Sequence, residues 1–225
     1  MKASTKGRAN TTPPIAGHMA SKIWREVARP FRRARRSVVA PNGKSYLTGS
    51  GAHLDGFHPQ QATVEAEGIP LIEQLVREAR QFPGPIIEIG TLLGVTTTTM
   101  ALAKSPDQKI ITVDLYCWNP WGMTPDVHEA VTSQMLHYLV QTGHVDRVSM
   151  DKNEFYRTYS GPAPSMVFLD AMHDYEETKK DIEWSRRIGA KIIAGHDYCD
   201  EFAGVKRVVD EFGGARELAG TVWAL

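Results

Sequence analysis

From residue 86 onward, short apolar runs alternate with longer amphipathic stretches. Uninterrupted apolar runs are typical of buried parallel strands, and the stretches between them have the spacing of helices that cover a sheet. We predict strands at 86–89, 110–113, 147–150, 166–169, 191–194 and 221–225. We predict helices at 96–103, 128–141, 176–188 and 205–212. The expected fold class is α/β, a Rossmann-like, doubly wound and mostly parallel sheet.

One further helix is predicted ahead of the first strand. Its apolar face contains Ile69, Leu71, Ile72, Leu75 and Val76. A Pro-Gly-Pro sequence at 83–85 ends it, because proline cannot continue a helix.

The N-terminal part of the chain differs in charge from the rest. Residues 1–45 hold eleven Lys or Arg and a single acid, Glu26. We predict a basic, partly disordered arm over 1–45 and one folded domain over 46–225, with 1–18 an unstructured leader and Met19 a plausible native start. The arm could contact nucleic acid, anionic lipid or a second subunit; we favour a solvated arm or a homo-oligomer contact and expect no nucleic-acid partner.

Composition sets further bounds on the protein class. A chain of 225 residues with 42% hydrophobic content can bury one substantial core. It contains no apolar run of membrane-spanning length and no apolar secretion signal, so we expect a cytoplasmic protein without a membrane span. Its two cysteines, Cys117 and Cys199, argue against a disulfide framework and a cysteine zinc site.

Ligands of such sheets bind beyond the carboxyl ends of the strands. The first strand runs into a turn in which Gly90 and Gly94, four residues apart, let the backbone approach a ligand. An adenosine-type cofactor would fit this turn, whereas the spacing does not match the dinucleotide motif of NAD enzymes. A purely structural turn remains the alternative.

Asp114 ends the second predicted strand, where an acid commonly accepts hydrogen bonds from ribose hydroxyls. Capping of the following loop is the alternative. The aromatic residues between 116 and 121 either line the ligand site or belong to the core.

Three polar residues follow the fourth and fifth strands. Asp170, His196 and Asp197 should meet at one edge and could hold a divalent cation, although a hydrogen-bond network or a coupled acid pair would also fit. His173 lies three residues after Asp170 and could exchange a proton near neutral pH, unless it only caps a helix or lies at the surface.

Taken together, the E-x-G-x-x-x-G turn at 88–94, Asp114, the L-D-x-x-H-x-Y-E sequence at 169–176 and the G-H-D-Y sequence at 195–198 resemble class I methyltransferases that use S-adenosylmethionine (SAM). The closest branch is the small metal-dependent O-methyltransferases that act on catechols or antibiotic sugars. The resemblance covers about residues 60–225.

The resemblance implies a SAM site, a metal site and a hydroxyl acceptor on a small molecule. The implied cofactor-binding residues are Glu88, Gly90, Thr91, Gly94, Thr96, Asp114, Leu115, Asp151 and Asp170. Asp170, His196 and Asp197 would hold Mg²⁺, with Mn²⁺, Fe²⁺ or Zn²⁺ as alternatives because relatives more often have an acid at the position of His196. The implied catalytic residues are His173, Asp170 and His196. His173 would be the general base, at a position where some relatives have a lysine in that role.

Three further points remain open. Many relatives end in a two-strand hairpin, which residues 216–218 could supply in shortened form. A SAM-binding or nucleotide-binding module without activity, a metal-dependent hydrolase and an NAD enzyme remain alternatives. The sequence does not identify the acceptor, although His53, His58, Trp118 and Trp121 could contribute to its pocket.

Overall fold

The computed structural model describes residues 64–225, which contain a seven-stranded sheet with helices on both faces. The strands are β1 (Ile86–Ile89), β2 (Ile110–Asp114), β3 (Val145–Ser149), β4 (Met166–Leu169), β5 (Ile192–Gly195), β6 (Glu217–Ala219) and β7 (Val222–Ala224). The helices are α1 (Ile69–Ala79), α2 (Val95–Ala103), α3 (Pro125–Met135), α4 (His137–Gln141), α5 (Lys152–Thr158), α6 (Tyr175–Arg187) and α7 (Ala203–Glu211). The predicted arm, the boundary after residue 45, His53 and His58 lie outside the described residues.

The strand order is β3-β2-β1-β4-β5-β7-β6. The first five strands pair in parallel, and β7 then pairs antiparallel with both β5 and β6. The predicted α/β class is confirmed, and β6 with β7 forms the shortened hairpin expected at the C-terminus. The order reverses at β1 and β4, where ligands bind in such sheets.

Alternation along the central strands divides the core between the two faces of the sheet. Ile86 and Phe168 point into a cluster that α1 and α2 cover. Ile87 and Val167 point into a second cluster, which includes Trp184 of α6. Both faces are therefore apolar, which explains why β4 appears in the sequence as a continuous apolar run and why β1 is interrupted only by Glu88.

The structure differs from the sequence prediction at two helices. The helix predicted over 128–141 is divided into α3 and α4 at Leu136, whose backbone leaves helical geometry and whose side chain is fully buried. Helix α5 was not predicted. Its start is marked by Asp151, whose carboxylate accepts hydrogen bonds from the amides of Asn153 (2.9 Å) and Glu154 (3.2 Å).

Within residues 64–225, none of the helices combines the length and the apolar character that crossing a membrane requires.

Candidate functional site

A cavity of about 340 Å³ opens at the carboxyl ends of β1, β2, β4 and β5. Its wall combines residues from each of these strand ends with the start of α5, so it occupies the position predicted for the ligand. The predicted site residues that line it are Gly90, Thr91, Thr96, Asp114, Leu115, Asp151, Asp170, His173, His196 and Asp197.

Gly90 brings the turn after β1 against the end of β4. Its φ of +96° lies in the left-handed region, and a β-carbon there would overlap the carbonyl group of Asp170. Only glycine meets both conditions without displacing the backbone. Gly94 has a different role: it precedes α2 with φ +79°, and a β-carbon there would lie 2.7 Å from the side chain of Leu136. Gly94 is not part of the cavity wall.

Asp114 holds the glycine turn in place. Its Oδ2 accepts hydrogen bonds from the amides of Thr91 (2.8 Å) and Leu92 (2.9 Å), and its Oδ1 accepts one from the amide of Tyr116 (2.6 Å). Leu92 and Tyr116 both have positive φ, so these bonds stabilise backbone that would otherwise be strained. Asp114 also lines the cavity, and carboxylate oxygens can accept a further hydrogen bond from a ligand.

Glu88 lies beneath the turn and does not line the cavity. The hydroxyl groups of Thr97 and Thr112 donate to its Oε2, while its Oε1 has no hydrogen-bond partner among the described residues. Burial raises the pKa of Glu88 to about 8, against the opposing effect of these hydrogen bonds. The side chain is therefore mainly neutral at pH 7 and supports the turn from inside the sheet.

Asp170, His196 and Asp197 meet in the cavity wall at the ends of β4 and β5. One potential ligand atom from each lies within 4.8 Å of the others. Nδ1 of His196 is 3.4 Å from Oδ1 of Asp170 and 3.4 Å from Oδ1 of Asp197. The backbone explains part of this convergence, because the amide of His196 donates to the carbonyl of Leu169 (3.1 Å) and so joins the ends of β4 and β5.

The charges of this cluster perturb its pKa values. Burial alone would lower the pKa of His196, but Asp170, Asp197 and Glu65 outweigh it and raise the pKa to about 9. Burial raises the pKa of Asp170, with the neighbouring Asp197 adding to the effect and His196 opposing it. A cation at this position is therefore favoured, whether it is a proton on His196 or a metal ion.

His173 reaches the same cluster. Its Nε2 lies 2.9 Å from Oδ2 of Asp197, and its ring packs edge-on against Phe202 with a centroid distance of 4.5 Å. Burial would lower the pKa of His173, but Asp197 and Asp170 outweigh it and raise the pKa. Asp197 thus contacts both histidines, from a backbone with φ +64°.

The aromatic sequence after β2 is divided between core and cavity. Tyr116 is buried, and Arg147 lies over its ring at 5.4 Å. Trp118 lines the cavity with 53% of its surface exposed, next to Cys117. Trp121 is not part of the cavity wall. Both sequence interpretations of these aromatics therefore apply, each to a different residue.

Sequence reasoning missed three residues of the site. Lys152 and Met172 line the cavity. Glu65 contacts His196 from a position 131 residues earlier in the chain. The capping sequence that begins at Asp151 could have indicated α5 and with it Lys152, whereas no local pattern marks Glu65.

Comparisons with known proteins agree with this architecture. Residues 87–198, about half of the chain, match a family model described as a methyltransferase domain. A search by sequence among curated proteins finds no match.

Solved structures share the fold at low sequence identity. The cofactor-bound protein Rv0187 from MTB is 23% identical with a TM-score of 0.52, over 67% of this chain and 69% of its own. The O-methyltransferase TomG from Streptomyces achromogenes, in complex with SAM, is 16% identical with a TM-score of 0.54, over 85% and 86%. An O-methyltransferase from Bacillus cereus, in complex with SAH, is 14% identical with a TM-score of 0.52, over 88% and 80%.

The match covers β1 to the end of β5, and so includes the glycine turn, Asp114 and the cluster formed by Asp170, His196 and Asp197. The resemblance proposed from the sequence is confirmed at the level of fold and family: the chain carries a methyltransferase domain with the class I methyltransferase fold.

Proposed function

We propose that this protein transfers the methyl group of SAM to a hydroxyl oxygen of a small molecule, with a divalent metal ion at Asp170, His196 and Asp197. One observation carries the proposal: the glycine turn and the acid-histidine cluster line a single cavity. The donor and the acceptor would thus be held side by side, which is the main requirement of a direct transfer.

The donor side uses backbone and carboxylate groups. Gly90 allows the methionine part of SAM to approach the backbone, and Asp114 and Asp151 offer carboxylates toward the ribose and the adenine. SAM supplies an activated methyl group as a sulfonium. The solved structures of TomG with SAM and of the Bacillus cereus enzyme with SAH support this choice of donor.

The acid-histidine cluster has the chemistry of a metal site. Two carboxylates and one imidazole suit Mg²⁺ or Mn²⁺, and the imidazole also suits Fe²⁺ or Zn²⁺. All three side chains are at least half-buried, so an uncompensated pair of acids would be costly there. A metal at this position would bind the acceptor hydroxyl and make it more acidic.

His173 is the residue that we assign to proton removal. Asp197 holds its Nε2 and orients the ring, which leaves Nδ1 to accept the proton of the acceptor hydroxyl. The raised pKa makes its neutral form a stronger proton acceptor. Trp118 and Met172 also line the cavity and offer exposed apolar surface for the body of the acceptor.

The test is methyl transfer by the full-length protein from isotope-labelled SAM to a panel of catechols, other phenols and sugars, with products identified by mass spectrometry. We expect labelled product to form; EDTA should abolish its formation, and Mg²⁺ or Mn²⁺ should restore it.

Gly90→Ala should lose SAM binding, while Gly143→Ala should keep it, because Gly143 also has positive φ but has open space around it. SAM binding without transfer across the panel would favour a non-catalytic module, and transfer unaffected by EDTA would remove the metal from the proposal.

A further inference from the structure

We propose that Glu65 is a positioning residue for the metal site: it fixes the tautomer and the orientation of His196, so that Nδ1 is the metal-binding nitrogen. This inference rests on the proposed function for the presence of the metal. It adds a residue that lies outside the matched methyltransferase segment, since the match begins at residue 87.

The first step is the contact between Glu65 and His196. Oε2 of Glu65 lies 2.8 Å from Nε2 of His196. An ionised carboxylate can only accept a hydrogen bond, so the hydrogen must be on Nε2. In the neutral ring, Nδ1 then carries the lone pair.

The second step is the direction of that lone pair. Nδ1 is the nitrogen that faces Asp170 and Asp197, at 3.4 Å from each. The lone pair of Nδ1 is therefore available between the two carboxylates only when the ring hydrogen is on Nε2, where Glu65 accepts it. Metal-binding histidines in proteins commonly donate their other ring nitrogen to a carboxylate, and this partner sets both the tautomer and the strength of the ligand.

The third step is the rigidity of Glu65 itself. Its Oε1 accepts a hydrogen bond from the amide of Thr221, in the turn between β6 and β7. The same hairpin contacts the histidine from its other side, because Nε1 of Trp223 donates to the carbonyl of His196 (2.8 Å). The amide of Tyr198 donates to the carbonyl of Thr221 (3.0 Å). The C-terminal hairpin thus acts as a support that holds Glu65 and His196 in register.

The test is Mn²⁺ binding to the full-length protein, measured by calorimetry and by electron paramagnetic resonance, for wild type, Glu65→Gln and Glu67→Gln. Glutamine keeps the size of Glu65 but removes its charge, and Glu67 is an exposed acid two residues away. We expect Glu65→Gln to weaken Mn²⁺ binding about 10- to 100-fold. Glu67→Gln should bind like wild type, and the SAH affinity should remain unchanged in both variants.

Unchanged Mn²⁺ affinity in Glu65→Gln, with binding lost in Asp170→Asn, would overturn the role of Glu65 and leave the metal site in place. Equal losses of Mn²⁺ and SAH affinity would also overturn it, because they would indicate a general structural role. Absence of Mn²⁺ binding to wild type would overturn this inference together with the metal part of the proposed function. The methyltransferase part is decided separately by labelled methyl transfer.

Discussion

At the scale of single residues, Asp197 connects the two histidines of the site. Its Oδ2 contacts His173 at 2.9 Å, and its Oδ1 lies 3.4 Å from His196. No other described residue contacts both rings through a carboxylate in this way. Its substitution is therefore the most direct perturbation of the proposed chemistry.

We expect Asp197→Asn to lower methyl transfer at least a hundredfold, because it removes a metal ligand and the charge that orients His173. SAM affinity should change by less than tenfold, a margin of about 1.4 kcal/mol, since the glycine turn and Asp114 are untouched. Asparagine tolerates the left-handed backbone of this position. Asp200→Asn is the control, because the Asp200 side chain is fully exposed. Steady-state rates and SAM titrations measure the two effects, and wild-type turnover in Asp197→Asn would contradict the assignment.

The sequence predicted many of the site residues because they follow strands directly. Asp170 is the first residue after β4, and His196 and Asp197 are the first two residues after β5; parallel strands bring their carboxyl ends to one edge. Glu65 follows no such rule, because it precedes α1; it contacts His196 directly and is held there by the amide of Thr221 in the C-terminal hairpin. Asp114 was located correctly, but its hydrogen bonds to the turn depend on positive φ values that the sequence does not reveal.

At the scale of elements, helix α3 supports the glycine turn. The carbonyl of Leu92 accepts hydrogen bonds from Nε2 of His128 (2.9 Å) and from the hydroxyl of Thr132 (2.6 Å). Both side chains are fully buried. The break at Leu136 lets α3 end beside the turn while Leu136 packs against Gly94. The periodicity of the sequence could not show this break, because apolar spacing continues across it.

We expect Thr132→Val to destabilise the protein by about 1–2 kcal/mol, because it removes a buried hydrogen bond at nearly constant volume. SAH binding should weaken several-fold, since the turn that lines the cavity loses one of its supports. Thr142→Val is the matched control: Thr142 follows α4 directly, and its exposed hydroxyl donates to the carbonyl of Tyr138 in that helix. Denaturant unfolding and calorimetry compare the two variants, and equal effects on SAH binding would exclude a specific support by α3.

Helices α5 and α6 are joined by a charged group around Lys152. Its ammonium lies against Asp181 and 2.9 Å from Glu177, and the Tyr156 hydroxyl donates to Asp181. The start of α5 is thereby fixed where Lys152 lines the cavity. Sequence reasoning missed α5 because it is short and has few apolar residues, so that periodicity gave no signal.

Glu177 should make stability depend on pH in the acid range. Lys180 and Lys152 lower its pKa from 4.5 to about 2, so the folded state favours the ionised carboxylate. The resulting stabilisation is present above pH 4.5 and is lost as the pH falls toward 2. We expect Glu177→Gln to be about 0.5–1 kcal/mol less stable than wild type at pH 6, with the difference vanishing near pH 2. Urea unfolding over this range measures it. Glu183→Gln, an exposed change on the same helix, should show no such pH dependence.

At the scale of the whole molecule, the parallel pairing of β1 to β5 follows from the alternation of apolar runs and helices, because each helix provides a crossover between parallel strands. The sequence therefore predicted the class and the edge at which the site forms. The antiparallel edge of β7 and β6 was harder to predict, because each strand has only three residues. The hairpin nevertheless supports the site, because its turn binds Glu65 and its Trp223 binds the carbonyl of His196. Residues from the two ends of the described chain therefore lie together at the proposed metal site.

Because the cavity lies at the carboxyl ends of β1 and β4, where the strand order reverses, a ligand there contacts elements from both halves of the sheet and should stabilise the fold as a unit. SAH at a hundred times its dissociation constant should add about 2.7 kcal/mol to the free energy of unfolding. For a domain of this size, that corresponds to a rise of about 5–10 °C in the thermal midpoint.

NAD at the same concentration should give no rise, because the turn after β1 places Leu92 where the dinucleotide motif requires glycine. Differential scanning calorimetry of wild type and Gly90→Ala measures both ligands. A larger rise with NAD than with SAH would reverse the assignment of the donor site.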